Sequence, residues 1–573
     1  MNASDAWSDI DLSGPGEDQL LNQAAAHIRH RSASMPPARH LPGPLDDSGD
    51  GRAKRLARPK TMAIFRRQLA VQHELGLNRS SPSSRRGGLG MMASQLSTSC
   101  SDNTDVESEF SESTPLLVYV LTGMAGIGGF LFGYDTGIVS GAMPKVAKTF
   151  GIQRDPFEQE LIVSATVLFA IAGALMGDLV SETYGRKTAI LAASAIFTAG
   201  ALMVAAARTV SFMVFGRSVL GIAVGLASQS VPMYLAEIAP PHLRGGLVSF
   251  FTASITFGQV VACITAGLLS EAPNGWRWMM GLAAAPAVVQ LIGMIFLPES
   301  PRWLAEQRRS SEAFRVLLSV RQSEKAASME LDSIAEEIRS LQAVKDSELD
   351  KQAQLAFHRA LPLGCGLMML QQFCGINTVM YYSASIFKMA GSSDTMAIWL
   401  TVLPALANAS MSSTAATLVD YCGRRSMILF SLSTVALSLL ALSASFHYRE
   451  LLSPEHASLL IICSMMAYVL SFATGLSSGP WVVNAEIYSL RYRSLGLSLA
   501  TVTNWTCNFI VSMSFLSLCN WLDTGSGKGE QPNPAAAFLV YAAVAELGFM
   551  FIYYHLPETS GINLEDIQKV FGV

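Results

Sequence analysis

The chain has 573 residues, half of them hydrophobic and only 15% charged, with a formal net charge of -4 and a mean hydropathy of +0.34. That balance is too apolar for a soluble multidomain chain, and it holds no basic surplus that would point to a nucleic-acid partner. The eight cysteines are scattered, mostly inside apolar runs, without a CxxC pair or a His cluster, which argues against a metal site and a disulfide framework.

Residues 1–113 are rich in Ser, Pro, Gly and Arg and hold no apolar core long enough for a secretory signal. They read as a disordered cytoplasmic tail with at most a short helix around 63–77, so the first membrane span must act as the targeting signal. Arg31-Ser32-Ala33-Ser34-Met35-Pro36 looks like a phosphoserine motif gripped by 14-3-3 proteins, with Ser34 as the acceptor; such hexapeptides also recur by chance in Ser/Arg-rich tails. The basic run from Arg52 to Arg67 fits an anionic lipid surface or a solvated linker.

Beyond the tail, apolar runs of about 20 residues follow one another, the length that crosses a bilayer's hydrocarbon core. They predict about twelve spans. The first six lie near 116–136, 160–180, 188–207, 213–235, 247–269 and 278–297, and the others near 361–386, 396–418, 427–446, 458–482, 496–519 and 536–556. Residues 298–357 are polar, and EAFRVLLSV and MELDSIAEEIRSLQ within them carry amphipathic helical spacing. The expected organisation is a tail (1–113), a six-helix bundle (114–297), a helical linker (298–357), a second six-helix bundle (358–556) and a short tail (557–573). Arg186, Lys187, Arg244, Arg424, Arg425, Arg491 and Arg493 all follow even-numbered spans, and the positive-inside rule makes that side cytoplasmic, with both termini inside. The sequons at Asn2, Asn78, Asn408 and Asn504 fall in the tail or within spans, so no glycosylation is expected.

The stretch GGFLFGYDTGIVSGAM (128–143) closes the first apolar run and holds one carboxylate, Asp135. An acid at membrane depth costs about 2.5–3.5 kcal/mol on insertion scales and needs a cation or a proton. Arg217, in the first turns of the fourth span, is the natural partner. Pairing favours the charged carboxylate and burial disfavours it, and a proton-coupling group needs the two nearly balanced. A structural ion pair that never titrates is the competing reading.

The halves repeat each other. ETYGRK (182–187) after the second span matches DYCGRR (420–425) after the eighth, and Glu237 with Arg244 matches Glu486 with Arg493. Each acid at a helix end, with the arginines just beyond it, is expected to form an ion-pair latch at a cytoplasmic gate: Glu182 with Arg186, Glu237 with Arg244, Asp420 with Arg424 and Arg425, Glu486 with Arg493.

With these motifs in view, Thr114 to Val573 resembles the sugar-porter branch of the major facilitator superfamily. GGFLFGYDTG, the loop after the second span, Phe215 through Arg217 to PMYLAEIAPPHLRGG, PESPRWL (298–304), QQFCGINTVMYYSA (371–384) and PETSGINLEDI (557–567) stand in the family's order. Within the branch it looks most like proton-coupled myo-inositol transporters, on TPLLVYV, NGWRWMMGLAAAPA and WVVNAEIYSLRYRS (481–494). The resemblance implies an all-α membrane protein with twelve transmembrane helices in two six-helix bundles, a cytoplasmic helical insert, and a central site about which the bundles rock. It also pairs the residues matching Asp135 and Arg217, whereas facilitative relatives tend to have a neutral residue in place of the acid. The chain departs from the pattern at Glu182 and Thr183, where the family usually has Asp and a basic residue, and at Ala266, where another polar contact is expected. Only residues 445–457 separate the ninth and tenth spans, where inositol carriers often have a long loop.

A polyol presents hydroxyls that both donate and accept, so its site wants amides and aromatic faces. Gln371, Gln372 and Asn377 line the seventh span, Gln259 the fifth and Asn504 the eleventh. Trp481 and Trp505 are candidates to cap the ring, with Phe132 and Tyr381 closing from either side, and Asn408 and Asn484 are further candidates. The resemblance puts the family's sugar-contacting residues at these positions. Amides in membrane helices also act as helix glue, at about 0.6–2 kcal/mol each, and Asn508 reads that way.

No nucleophile–base pair, phosphate loop or metal cluster supports an enzyme, and no cofactor is expected beyond a co-transported proton. The expected function is proton-coupled symport of myo-inositol or a related polyol by a multi-pass protein, in the plasma membrane first, with polyol, proton and lipid bilayer as partners. The alternatives are a hexose carrier, coupled or facilitative, and a transporter-like nutrient sensor, which the short stretch after the last span disfavours.

Overall fold

A computed structural model describes residues 115–240, 243–321, 323–343, 348–489, 491–523 and 532–560, within one compact unit of residues 104–573. Every regular element among them is helical. The first half comprises α1 (Leu116–Phe150), α2 (Pro156–Tyr184), α3 (Arg186–Ala206), α4 (Val210–Ile238), α5 (Arg244–Leu268), α6 (Gly275–Gly281) and α7 (Ala284–Phe296). A linker of α8 (Pro301–Glu306), α9 (Ser310–Val320) and α10 (Glu324–Ala343) follows. The second half has α11 (Glu348–Phe373), α12 (Ile376–Met389), α13 (Asp394–Leu400), α14 (Val402–Cys422), α15 (Arg424–His447), α16 (Pro454–Gly475), α17 (Gly479–Ile487), α18 (Arg493–Leu522) and α19 (Ala535–His555).

Among the described residues, 10 helical segments are long and apolar enough to cross a membrane. The α11–α12 segment and α18 are not among them. The first begins in the charged Glu348–Lys351 stretch, and both carry amides that are buried in protein but count against them in a hydropathy window. The same bias explains where the predicted boundaries err. The first span, expected to end at 136, continues to Phe150, because Asp135, Thr136 and Ser140 turn inward and are buried. The seventh span breaks at Cys374–Gly375, the tenth breaks between Gly475 and Gly479, and both were expected to be continuous.

Close approach of α1 to α5 fixes where Asp135 sits. Gly129, Gly133, Gly137 and Gly141 recur every four residues, so they form one stripe on α1. That stripe lies on the backbone of α5: a Cβ at Gly129 would stand 2.8 Å from the Phe251 carbonyl oxygen and one at Gly137 2.8 Å from that of Gln259. At Gly133 it would overlap the Ile255 carbonyl itself. Asp135 emerges between Gly133 and Gly137, on the side turned away from α5 and toward α4.

The linker is tied to the first half. Ser300 caps α8 by accepting from the Trp303 N–H, with Pro301 pre-set in the first turn. Arg321 is held by both oxygens of Glu330 at 2.6 and 2.7 Å and reaches the Ile238 and Ala239 carbonyls at 3.0 and 3.1 Å, which α4 leaves unpaired at its C-terminus. The two amphipathic stretches predicted in the linker thus form helices, with Ala313, Leu317 and Val320 of α9 turned inward.

Gly133→Ala must displace α5, and overpacking of this kind costs about 1–3 kcal/mol. Gly123→Ala, where a Cβ meets nothing within 4 Å, should leave stability unchanged or slightly raised. Thermal unfolding of the two purified variants in the same detergent should separate them; equal midpoints would show that the α1–α5 contact is loose.

Candidate functional site

Asp135 Oδ1 accepts from Arg217 Nη1 at 2.5 Å, and the two side chains are 8% and 1% exposed. Arg217 is fixed from behind: its Nε donates to the Ile162 carbonyl at 3.3 Å, and its own carbonyl accepts from Thr166. A buried pair of this kind is tolerated because each charge cancels the other's desolvation; removing either leaves the other uncompensated. Tyr381 of α12, from the other half, lies near Asn508 and Thr136 and near both charges. The pair expected from sequence therefore exists, and it borders the junction of the two halves.

The amides form a chain next to that junction. Asn504 Nδ2 donates to Gln371 Oε1 at 2.7 Å, Gln372 Nε2 donates to Asn504 Oδ1 at 3.2 Å, and Asn377 Nδ2 donates to Gln372 Oε1 at 2.6 Å. Gln371 Nε2 donates to the carbonyls of Leu476 and Ser477 at 2.7 and 3.0 Å, in the gap between α16 and α17 where the broken helix leaves them free. Gln371 and Gln372 precede the break in α11–α12 and Asn377 follows it, so irregular backbone here lines a polar cluster, as expected of discontinuous membrane helices.

Two further contacts cross between the halves. Asn408 Nδ2 donates to Gln259 Oε1 at 3.1 Å, and Phe132 packs against Trp505 with ring centroids 5.4 Å apart. Asn484 lies apart from this group: its amide donates to Gly364 and Pro480 carbonyls and accepts from Tyr488, joining α17 to α11 while wholly buried. Trp481 is 39% exposed on α17. Asn508 Oδ1 accepts from Ser512, and the Asn508 side chain also meets Tyr381.

The latches differ from the expected pairing. Arg186 pairs with Glu237 at 2.9 Å, across to the end of α4, and Arg424 pairs in the same way with Glu486 at 3.1 Å. Each arginine also reaches a carbonyl in the last turn before it, Ser181 or Val419. Glu182 does not pair with Arg186: its side chain is exposed, and only its carbonyl is used, by Trp303 Nε1 at 2.8 Å. The geometry is plain in retrospect, because Glu182 lies on the far side of the chain reversal at Gly185. Arg425 donates to the Tyr553 carbonyl and lies over its ring, and Arg493 Nε and Nη2 are buried without a partner among the described residues. The side chains of Arg244 and Asp420, like Ser34 in the tail, lie outside the described residues.

Four latch residues were not singled out from sequence: Glu299, Ser300, Glu558 and Thr559. Ser300 Oγ donates to Glu237 at 2.5 Å and Thr559 Oγ1 to Glu486 at 2.6 Å. Glu299 accepts the Lys187 N–H at 3.0 Å, and Glu558 the Arg424 N–H at 2.9 Å, each at the N-terminus of a helix, where a negative charge is favoured. The glycines before those helices, Gly185 and Gly423, have φ of +99° and +84° and lie against the same carboxylates, so a side chain is excluded there twice over. The signal was present: PES at 298–300 and PET at 557–559 follow the two halves at matching positions.

The family described as "Sugar (and other) transporter" matches residues 121–571. The proton myo-inositol cotransporter of Homo sapiens is 36% identical over 548 residues, covering 80% of this chain and 83% of that protein. The galactose-proton symporter of Escherichia coli K12 is 36% identical over 460 residues, covering 80% of this chain and 95% of that protein. Among solved structures, a partially occluded inward-open conformation of the xylose transporter XylE from E. coli matches with a TM-score of 0.65 at 26% identity, over 78% of this chain and 99% of that one.

Glu237→Gln strands Arg186, whose side chain is 6% exposed. Loss of one partner from a buried pair costs about 3–5 kcal/mol; Glu306, 3.7 Å from Arg186, puts the expected loss at the lower end. Glu182→Gln should stay within about 0.5 kcal/mol of the parent. Unfolding midpoints of both variants check this, and comparable losses would return Glu182 to the latch.

Proposed function

The chain belongs to the sugar (and other) transporter family and is a multi-pass membrane protein, and from that membership and its site we infer that it is a proton-coupled symporter of a polyol or sugar, myo-inositol first. The observation that carries the reading is the buried Asp135–Arg217 pair beside a cluster of amides at the junction of the halves. An acid whose only neutralising partner among the described residues is one arginine can exchange that partner for a proton. Amides that donate and accept can exchange each other for hydroxyls. The 36% identity to a proton myo-inositol cotransporter supports the substrate, and the equal identity to a galactose-proton symporter keeps hexoses as the second reading.

The proposed arrangement has twelve spans in two bundles of six: the ten apolar segments plus α11–α12 and α18. The linker, the latches and both termini are cytoplasmic, and the plasma membrane is the first location. Once phosphorylated, Ser34 would offer a 14-3-3 docking point. In the cycle, Asp135 takes a proton from outside and loosens from Arg217. The polyol then binds among Gln371, Gln372, Asn377, Asn504, Gln259 and Asn408, with Phe132, Tyr381 and Trp505 against its ring. The halves rock, each latch holding its own half together, and Asp135 gives up its proton inside. A charge entering across 100 mV contributes about 2.3 kcal/mol. A unit of pH gradient adds about 1.4 kcal/mol, so the combined drive concentrates a neutral polyol at most several hundred-fold.

Asp135→Asn should abolish uphill accumulation of labelled myo-inositol while exchange across the membrane persists; accumulation with substrate-driven alkalinisation of the medium in that variant would remove Asp135 from coupling. Gln371→Ala should raise the half-saturating concentration about tenfold, the loss of about 1.4 kcal/mol. Unchanged uptake kinetics would reduce Gln371 to a brace for the broken helix. A competition panel of inositol isomers and hexoses distinguishes the two substrate readings.

A further inference from the structure

Two acids of α2 have no part in the cycle above. Glu160 is wholly buried and Asp178 partly so. They are 18 residues apart, which at 3.6 residues per turn is five turns, so they share one face of the helix. That face meets α18 of the other half. Ser517 donates its backbone N–H to Glu160 Oε1 at 2.8 Å and its hydroxyl to Oε2 at 2.5 Å. Toward the latch end, Ser498 donates its hydroxyl to Asp178. No cation pairs with either acid among the described residues, and the titratable groups facing Glu160 are Tyr382 of α12, Cys519 of α18 and Tyr541 of α19.

A backbone N–H deep inside a helix already has a carbonyl four residues back, and α18 runs unbroken from Arg493 to Leu522 where the carboxylate meets it. A buried carboxylate without a cation is costly unless donors fully satisfy it. Glu160 has its donors only while α2 and α18 stay together. Once the halves separate at this end, water replaces those donors. The two arrangements are therefore close in free energy, as a gate that opens and closes in every cycle requires. The same end holds another crossing contact, the Ala384 N–H to Ser140 Oγ at 3.1 Å.

We propose that Glu160 is the clasp that closes the end of the carrier away from the linker, with Asp178 and Ser498 as its counterpart at the linker end, so that Glu160 leaving α18 is the step that opens the site to the outside. Glu160 is a positioning residue: it touches neither the coupling pair nor the amide cluster. The proposal rests on the carrier reading and orientation given above.

The test places a reporter thiol at Ser140 (Ser140→Cys) in the full chain and follows its reaction with a membrane-impermeant maleimide added outside intact cells, without substrate. The same chain with Ser140 intact gives the background. Adding Glu160→Ala should speed labelling about tenfold, the factor carried by about 1.4 kcal/mol. Ser517→Ala, which leaves the carboxylate in place and guards against a misfolded Glu160 variant, should shift labelling the same way by a smaller factor. Asp178→Asn should leave it unchanged or slow it. Unchanged labelling in both Glu160→Ala and Ser517→Ala overturns the clasp, as does an equal rise in Asp178→Asn. Labelling needs neither substrate nor a proton gradient, so failure to accumulate myo-inositol would overturn the substrate reading and not this one. Labelling only in inside-out vesicles would overturn the orientation.

Discussion

A carboxylate and a guanidinium in contact at membrane depth set the terms for everything around them. Asp135 and Arg217 can be ionised there only while they touch, and each must be kept from lipid on every other side. The glycine stripe answers one side, by laying the α1 backbone directly on α5. Ile162 and Thr166 of α2 answer another, by holding Arg217 through its Nε and its carbonyl. What remains is the side facing the second half, where Tyr381 arrives. Among the described residues the pair is thus bordered on that side by the junction between the halves.

The amide cluster obeys a related constraint. Breaking a membrane helix frees carbonyls that lipid cannot satisfy. The break before α17 is closed by Gln371, which spends both of its donor contacts on Leu476 and Ser477. Its oxygen is held by Asn504, whose oxygen is held by Gln372. These amides therefore satisfy one another. Under the binding mode proposed above, a polyol would replace amide–amide bonds with amide–hydroxyl bonds, at little net cost per bond. On that proposal selectivity would depend on whether a given stereoisomer places hydroxyls where amides already met, since an unmatched buried polar group costs about 1–3 kcal/mol.

Much of this was legible in the amino-acid sequence, because the relevant signals are local. Apolar runs, amphipathic linker repeats and an acid inside an apolar run can each be read within a window of twenty residues or so. What was misread needs information from across the chain. Asp135 lies mid-helix and not at a helix end, because its polar neighbours face protein, which a hydropathy average cannot distinguish from facing water. Glu182 and Arg186 are close in sequence but separated by the reversal at Gly185, so the arginine turns to Glu237, which is remote in sequence and near in space. Glu299 and Glu558 went unassigned because a lone acid after a proline reads as an exposed turn until the helix N-terminus above it is in place.

The latches and the clasps divide the work between them. Each latch pairs an arginine and an acid of one half, closed by a residue just past that half: Arg186 and Glu237 with Ser300, Arg424 and Glu486 with Thr559, the same chemistry twice. Such triads stiffen a half internally at the end where its helices would splay, and a stiff half can move as a body. Four contacts between the halves have a different character. Asn408 to Gln259, Phe132 to Trp505, Ser140 to Ala384 and Glu160 to Ser517 involve neutral groups or a lone carboxylate on neutral donors, with no opposed full charges. An ion pair across the junction would have to be broken in every cycle, at several kcal/mol. Neutral hydrogen bonds are exchanged for water or substrate at about 0.5–1.5 kcal/mol each, which the drive from one proton can outweigh. Strong bonds within halves and weak ones between them are what let the drive from a single proton move the whole assembly.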